Sequence, residues 1–206
     1  VGAPSITRAD ARGPLRGVVL TLHGGTQRSQ EPVHDGNLSW QRARALQRAI
    51  SSRVAEQGLA VWLLRYGQRG WNDGRAPSPV PDARWALEMV RATADVPVVI
   101  VGHSMGARTG ARVADDPSVR GVVALAPWFP PGEPVAALRG KHLAVAHGRH
   151  DRITSYAASE EFVARCRGIA RTATFTDMGP AGHYLLRRAT AWNDLAASSA
   201  VSMFPD

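Results

Sequence analysis

Residues 102–106 read Gly-His-Ser-Met-Gly, a serine with a glycine two positions away on either side. A serine hydroxyl attacks a carbonyl only when a base takes its proton and donors stabilise the oxyanion that forms. The local pattern suits that task. The apolar run 98–101 predicts a strand and the residues after Ser104 predict a helix, so the serine falls at a sharp strand-to-helix turn. Such a turn strains the serine backbone, and side chains at the two flanking positions would collide, which calls for glycine at both. The N-terminus of the new helix then points free N–H groups at the place where negative charge develops. The plainer alternative is a turn serine that only caps a helix.

Set in Val-Val-Ile-Val-Gly-His-Ser-Met-Gly-Ala-Arg, the motif resembles the nucleophile elbow of α/β-hydrolases, and the likeness extends from Val18 to the last helix. The resemblance is to small, lid-less bacterial serine hydrolases of the esterase or thioesterase kind. It implies three further features. The first is an oxyanion loop after an early strand, matched by Leu22-His23-Gly24-Gly25-Thr26. By resemblance the Gly25 and Met105 amides are the two donors, with Thr26 a near alternative to Gly25 and His23 structural. The second is an acid after a downstream strand, matched by His147-Gly148-Arg149-His150-Asp151, 47 residues beyond the serine. A carboxylate there holds the imidazole tautomer and balances the imidazolium. Asp177 is its rival, but it lies only six residues before the histidine. The third is His183, the one histidine of seven in a late, glycine-rich loop. A free imidazole titrates near 6.5 and accepts a proton at neutral pH. The order Ser104, Asp151, His183 is the one this fold uses.

These residues need a frame. Nearly continuous Val, Leu and Ile runs predict strands at 17–22, 60–65, 98–102, 121–126, 142–146 and 172–176. Such runs suit strands covered on both faces. Residues 5–8 are a candidate for a short edge strand. Between the strands, Trp40, Ala43, Leu46, Ile50 and Val54 recur at helical steps before Gly58. A second helix capped by Asp82 carries Trp85, Leu87, Met89 and Val90. A third runs from Ser104 to about Ala114, a fourth from Thr154 to about Arg167, and the last buries Leu185, Ala189, Trp192 and Ala196. The alternation predicts one α/β domain over 1–206: a doubly wound, mainly parallel sheet of about six strands with helices on both faces. Ligands then sit at the carboxyl ends of the strands. The stretch 127–140 is too short for a helical cap, so an open site is expected.

Composition narrows the partners. The formal charge is +8, but the basic residues are scattered arginines with Lys141 the one lysine. The cluster Arg42, Arg44 and Arg48 reads as a solvated helix face, so no nucleic-acid partner is expected. No apolar run is long enough to span a membrane. The single cysteine, Cys166, permits no internal disulfide and reads as a core residue. His147, His150 and Asp151 match no zinc spacing, so no metal and no cofactor is expected. A small-molecule acyl substrate is. The cytoplasm is the expected location, with export after leader removal left open, and oligomeric state is not legible. Trp71, Trp128 and Phe129 are candidates to line an acyl or aryl pocket, or else to pack beneath their own loops. The reaction expected from the resemblance is ester or thioester cleavage through an acyl-serine. An acyltransferase or cofactor-free perhydrolase with the same triad, or a binding module on this fold, are the alternatives.

Overall fold

The computed structural model describes residues 2–204. Seven strands form one sheet: β1 (Ser5–Ala9), β2 (Gly17–Leu22), β3 (Leu59–Arg65), β4 (Val98–His103), β5 (Val119–Leu125), β6 (His142–His147) and β7 (Thr172–Asp177). Their spatial order is β1-β3-β2-β4-β5-β6-β7. All pairings are parallel except β1 with β3. The edge strand β1 is therefore present, pairing Ser5 with Arg65 through Ala9 with Val61. Its mostly exposed sequence Ser-Ile-Thr-Arg-Ala carries little apolar signal because it has a neighbour on one side only.

Five helices cover the sheet: α1 (Leu38–Val54), α2 (Pro79–Thr93), α3 (Met105–Val113), α4 (Tyr156–Cys166) and α5 (Ala189–Val201). Alternate residues of the central strands feed two cores. Val18, Leu20, Val98 and Ile100 pack with Leu87, Ala111 and Phe162 of α2, α3 and α4. Val19, Val99 and Val101 pack with Ile50, Val54, Trp192 and Ala196 of α1 and α5. Full burial of both faces explains why these strands lack polar alternation. Cys166 lies in the first core, and burial pushes its thiol up to about 11.

Three helix readings need correction. α2 starts at Pro79, with Ser78 at the N-cap, because proline's fixed φ and missing N–H suit the first helical position. Asp82 instead accepts the Gly67 amide at 2.8 Å. α4 is capped by Ser155, whose hydroxyl accepts from the Ala158 amide, since Thr154 is bonded to Asp151. Ala189 is exposed on the first turn of α5; its buried stripe is Trp192, Ala196, Ala197 and Ala200, and Leu185 packs from the preceding loop.

The connection between β5 and β6 holds a single 3₁₀ turn (Ala136–Leu138) and no cap domain. It is pinned to α3 by a buried ion triad. Glu133, with its side chain 1% exposed, accepts from Arg108 Nε at 2.6 Å and also from Arg112. The Arg108 guanidinium lies against both Trp71 and Trp128, at 4.0 and 4.5 Å from their ring centres. Both loops are thus clamped to α3, the helix that follows Ser104. Removing one member leaves buried charge uncompensated, so Glu133→Ala should lower unfolding free energy by about 3–5 kcal/mol. Urea denaturation checks this, and a loss below about 1 kcal/mol would mean the clamp is not stabilising.

Candidate active site

The strand order reverses direction between β2 and β4, which lie side by side with Leu22 opposite Gly102. Crevices form at such switch points, beyond the carboxyl ends of the strands. Here the loop after β2 meets the turn after β4. Ser104 sits on that turn with φ 56° and ψ −118°, a conformation that costs a non-glycine residue about 1–3 kcal/mol. The surroundings enforce it. The Ser104 amide donates to the Leu125 carbonyl at 3.0 Å, and its carbonyl accepts from the Trp128 amide at 3.2 Å. A Cβ at Gly102 would lie 2.5 Å from the Ala107 backbone, and one at Gly106 would run into the Leu22 carbonyl.

The turn delivers the Ser104 hydroxyl to the His183 ring, with Oγ 3.0 Å from Nε2. On the other side of that ring, Nδ1 donates to Asp151 Oδ2 at 2.8 Å. The structure thus brings Ser104, His183 and Asp151 into one hydrogen-bonded row. The loops carrying the last two are stitched together by backbone bonds, Arg149 N–H to Gly179 O at 2.7 Å and His150 N–H to Ala181 O at 3.1 Å. Asp177 stands apart, accepting from Gly179 N–H and paired with Arg149.

The Asp151 side chain is fully buried. Its Oδ2 accepts from His183, from His147 Nε2 at 3.1 Å and from Thr154 Oγ1 at 2.9 Å. Its Oδ1 accepts the amides of Ile153 and Thr154 at 2.8 and 2.9 Å. Burial pushes this carboxyl up, but the bonds from His147, His183 and the two amides outweigh it and hold it well below the usual carboxylate range. The ring of His147 is fixed in turn, since its Nδ1 accepts from Ser159 Oγ at 2.8 Å.

Facing Ser104, the Thr26 amide is already spent on the Arg69 carbonyl at 3.0 Å. Among the described residues the Gly25 and Met105 amides have no acceptor. His23 holds their loop: its Nδ1 donates to Gly24 O at 2.6 Å and its Nε2 accepts the Tyr66 amide at 3.2 Å.

The alpha/beta hydrolase family model matches residues 19–204, nearly the whole chain. This chain belongs to the alpha/beta hydrolase family. Solved structures agree on the fold. An alpha-beta serine hydrolase homologue from Coxiella burnetii superposes with a TM-score of 0.71 at 18% identity, over 96% of this chain and 92% of that one. A serine hydrolase without a lid from Xanthomonas campestris gives 0.72 at 16%, over 98% and 90%. A soluble variant of monoglyceride lipase from Saccharomyces cerevisiae, solved with a substrate analog, gives 0.69 at 12%, over 98% and 92%. Among curated proteins none matches the sequence.

In this alpha/beta hydrolase the crevice over Ser104 is a cleft of about 110 Å³, lined by Gly24, Gly25, Arg42, Ile153, His183 and Tyr184 among others. Trp71 is buried and, with Trp128, holds Arg108, while Phe129 stacks on Phe162 at 3.8 Å. None of the three lines the cleft. Trp71 and Trp128 lie against the guanidinium of Arg108, which is itself paired with buried Glu133. Arg42 also departs from the solvated-face reading, being partly buried against the cleft while Arg44 and Arg48 are exposed.

Two residues in contact with the row carried no role in the sequence reading. His147 shares the acid with His183. His103 donates from Nε2 to the His183 carbonyl at 2.8 Å, holding the backbone of the residue whose ring faces Ser104. Their signal is position: each ends a buried strand one and four residues before Ser104 and Asp151. No helix among the described residues is long and apolar enough to cross a membrane.

Burial makes the pH behaviour calculable. It lowers His23 from 6.5 to about 4 and His103 from 6.5 to about 3. The folded chain keeps both rings neutral where the unfolded chain protonates them. Their contribution is therefore complete above pH 6.5 and is lost as the pH falls through that window toward 4 and 3. The slope is about 1.4 kcal/mol per pH unit for each ring. Urea unfolding at pH 7, 6 and 5 should show this decline, and His103→Gln should flatten it by about one ring's share. An unchanged slope in the variant would refute the assignment.

Proposed function

We propose that this chain is a serine hydrolase that cleaves a carboxylic ester or thioester through an acyl-serine intermediate. The observation that carries the reading is the row Asp151–His183–Ser104, with bonds of 2.8 and 3.0 Å and the acid wholly buried. Family membership supports hydrolysis in general, and the yeast monoglyceride lipase is a neighbour that was solved with a substrate analog.

In the proposed reaction His183 Nε2 takes the hydroxyl proton as Ser104 Oγ attacks the carbonyl carbon. The Gly25 and Met105 amides receive the oxyanion, a choice favoured over Thr26 because the Thr26 amide is already bonded. His183 returns the proton to the departing oxygen or sulfur as that bond breaks. A water then loses its proton to His183, attacks the acyl carbon, and the proton goes back to Ser104 as the acid leaves. Asp151 stays ionised and stabilises the imidazolium formed in each half.

A panel of p-nitrophenyl esters and acyl thioesters should reveal turnover. Ser104→Ala should lower it by about 10⁶ and Asp151→Asn by about 10⁴. A fluorophosphonate should label the wild type once per chain and leave Ser104→Ala untouched. Near-full activity in the serine variant would overturn the proposal.

A further inference from the structure

Seven arginines are partly or fully buried among the described residues. Six of them, Arg53, Arg65, Arg69, Arg108, Arg112 and Arg165, lie against a carboxylate. Arg42 is the seventh, and among the described residues no acidic side chain pairs with it. Its guanidinium carbon lies 5.5 Å from the Tyr184 ring centre. Burial of a guanidinium is unfavourable unless a counter-charge meets it, and here burial already lowers its affinity for its proton. Arg42 lines the cleft over Ser104, and it also lines an adjoining groove of about 290 Å³ bounded by Leu38, Leu46, Leu185 and Leu186.

The apolar surface points to the same place. The large hydrophobic side chains that the described residues expose are Leu38, Ile153, Tyr184 and Leu186, at 72, 62, 52 and 71%. Ile153 and Tyr184 rim the cleft, and Leu38 and Leu186 rim the groove. Isolated exposed apolar residues are ordinary, but here each one lines either the cleft or the groove that Arg42 also lines. The cleft alone is too small for more than the reacting group, so the rest of a substrate must lie along this surface.

We propose that Arg42 makes the site selective for amphiphilic acyl substrates, with an apolar arm in the Leu38–Leu186 groove and an anionic group, carboxylate or phosphate, on the guanidinium. This rests on the serine-hydrolase reading and narrows its substrate class. A charge-assisted bond to one arginine corresponds to a preference of about tenfold to a hundredfold over the neutral analogue.

The test uses three fluorophosphonates with the same alkyl tail, ending in methyl, carboxylate or phosphate. Second-order labelling rates of the wild type should favour at least one anionic probe by tenfold or more, less so at high salt. In Arg42→Gln the anionic and neutral rates should converge. Arg44→Gln, an exposed position on the same helix, should keep the wild-type ratio and so controls for loss of net charge. The carboxylate and phosphate arms tell which anion is preferred. Equal rates for all three probes in the wild type, or a preference that survives Arg42→Gln or disappears in Arg44→Gln, overturn the Arg42 proposal and leave the hydrolase reading standing. No labelling of Ser104 by any probe overturns both.

Discussion

A buried carboxylate is tolerable only when its lone pairs are filled, and Asp151 is filled by five donors from four residues. Much else in the molecule follows from that requirement. The Ile153 and Thr154 amides can reach Oδ1 only because the chain turns immediately after β6, which delays the start of α4 to Tyr156. His147 can reach Oδ2 because it ends β6 and faces inward. The remaining approach to the acid is taken by His183, whose loop is laced to the acid's own loop by backbone bonds. A ring held this way presents Nε2 in one direction, and Ser104 lies there.

The serine side is built by a different constraint. A strained turn stores unfavourable energy that the rest of the fold must offset. Here the offset is a fully buried β4, flanked by β2 and β5 in parallel register, with α3 packed down on both. The ion triad of Glu133 with Arg108 and Arg112 then ties the following loops to the same helix. Nucleophile and acid thus sit on separate rigid supports, and one histidine spans the gap between them. The absence of a cap in the β5–β6 connection leaves that gap facing a shallow, apolar-rimmed surface.

The sequence showed what local rules control. Parallel strands covered on both faces read as unbroken apolar runs, and the glycines around Ser104 mark a turn that side chains would block. β1 was half-legible because an edge strand carries fewer buried residues. The start of α2 was misplaced because Asp82 offered a cap signal while Pro79 decided the boundary. Arg42 was grouped with Arg44, although residues two apart on a helix point to nearly opposite sides. The partners of Asp151 other than His183 all lie within four residues of it and follow from the turn after β6, whereas the packing of Arg108 against Trp71 and Trp128 depends on long-range contacts that no local pattern encodes. The stacking of Phe129 on Phe162 is long-range in the same way.

The proposed reaction depends on one geometry: Ser104 attacks with His183 beside it and the oxyanion between the Gly25 and Met105 amides. A crystal structure of the phosphonylated protein would display that geometry. Phosphorus should be bonded to Ser104 Oγ, with one phosphonyl oxygen within hydrogen-bond distance of both amides and the His183 ring still bonded to Asp151. A phosphonyl oxygen directed away from both amides, or an adduct on any other residue, would contradict it.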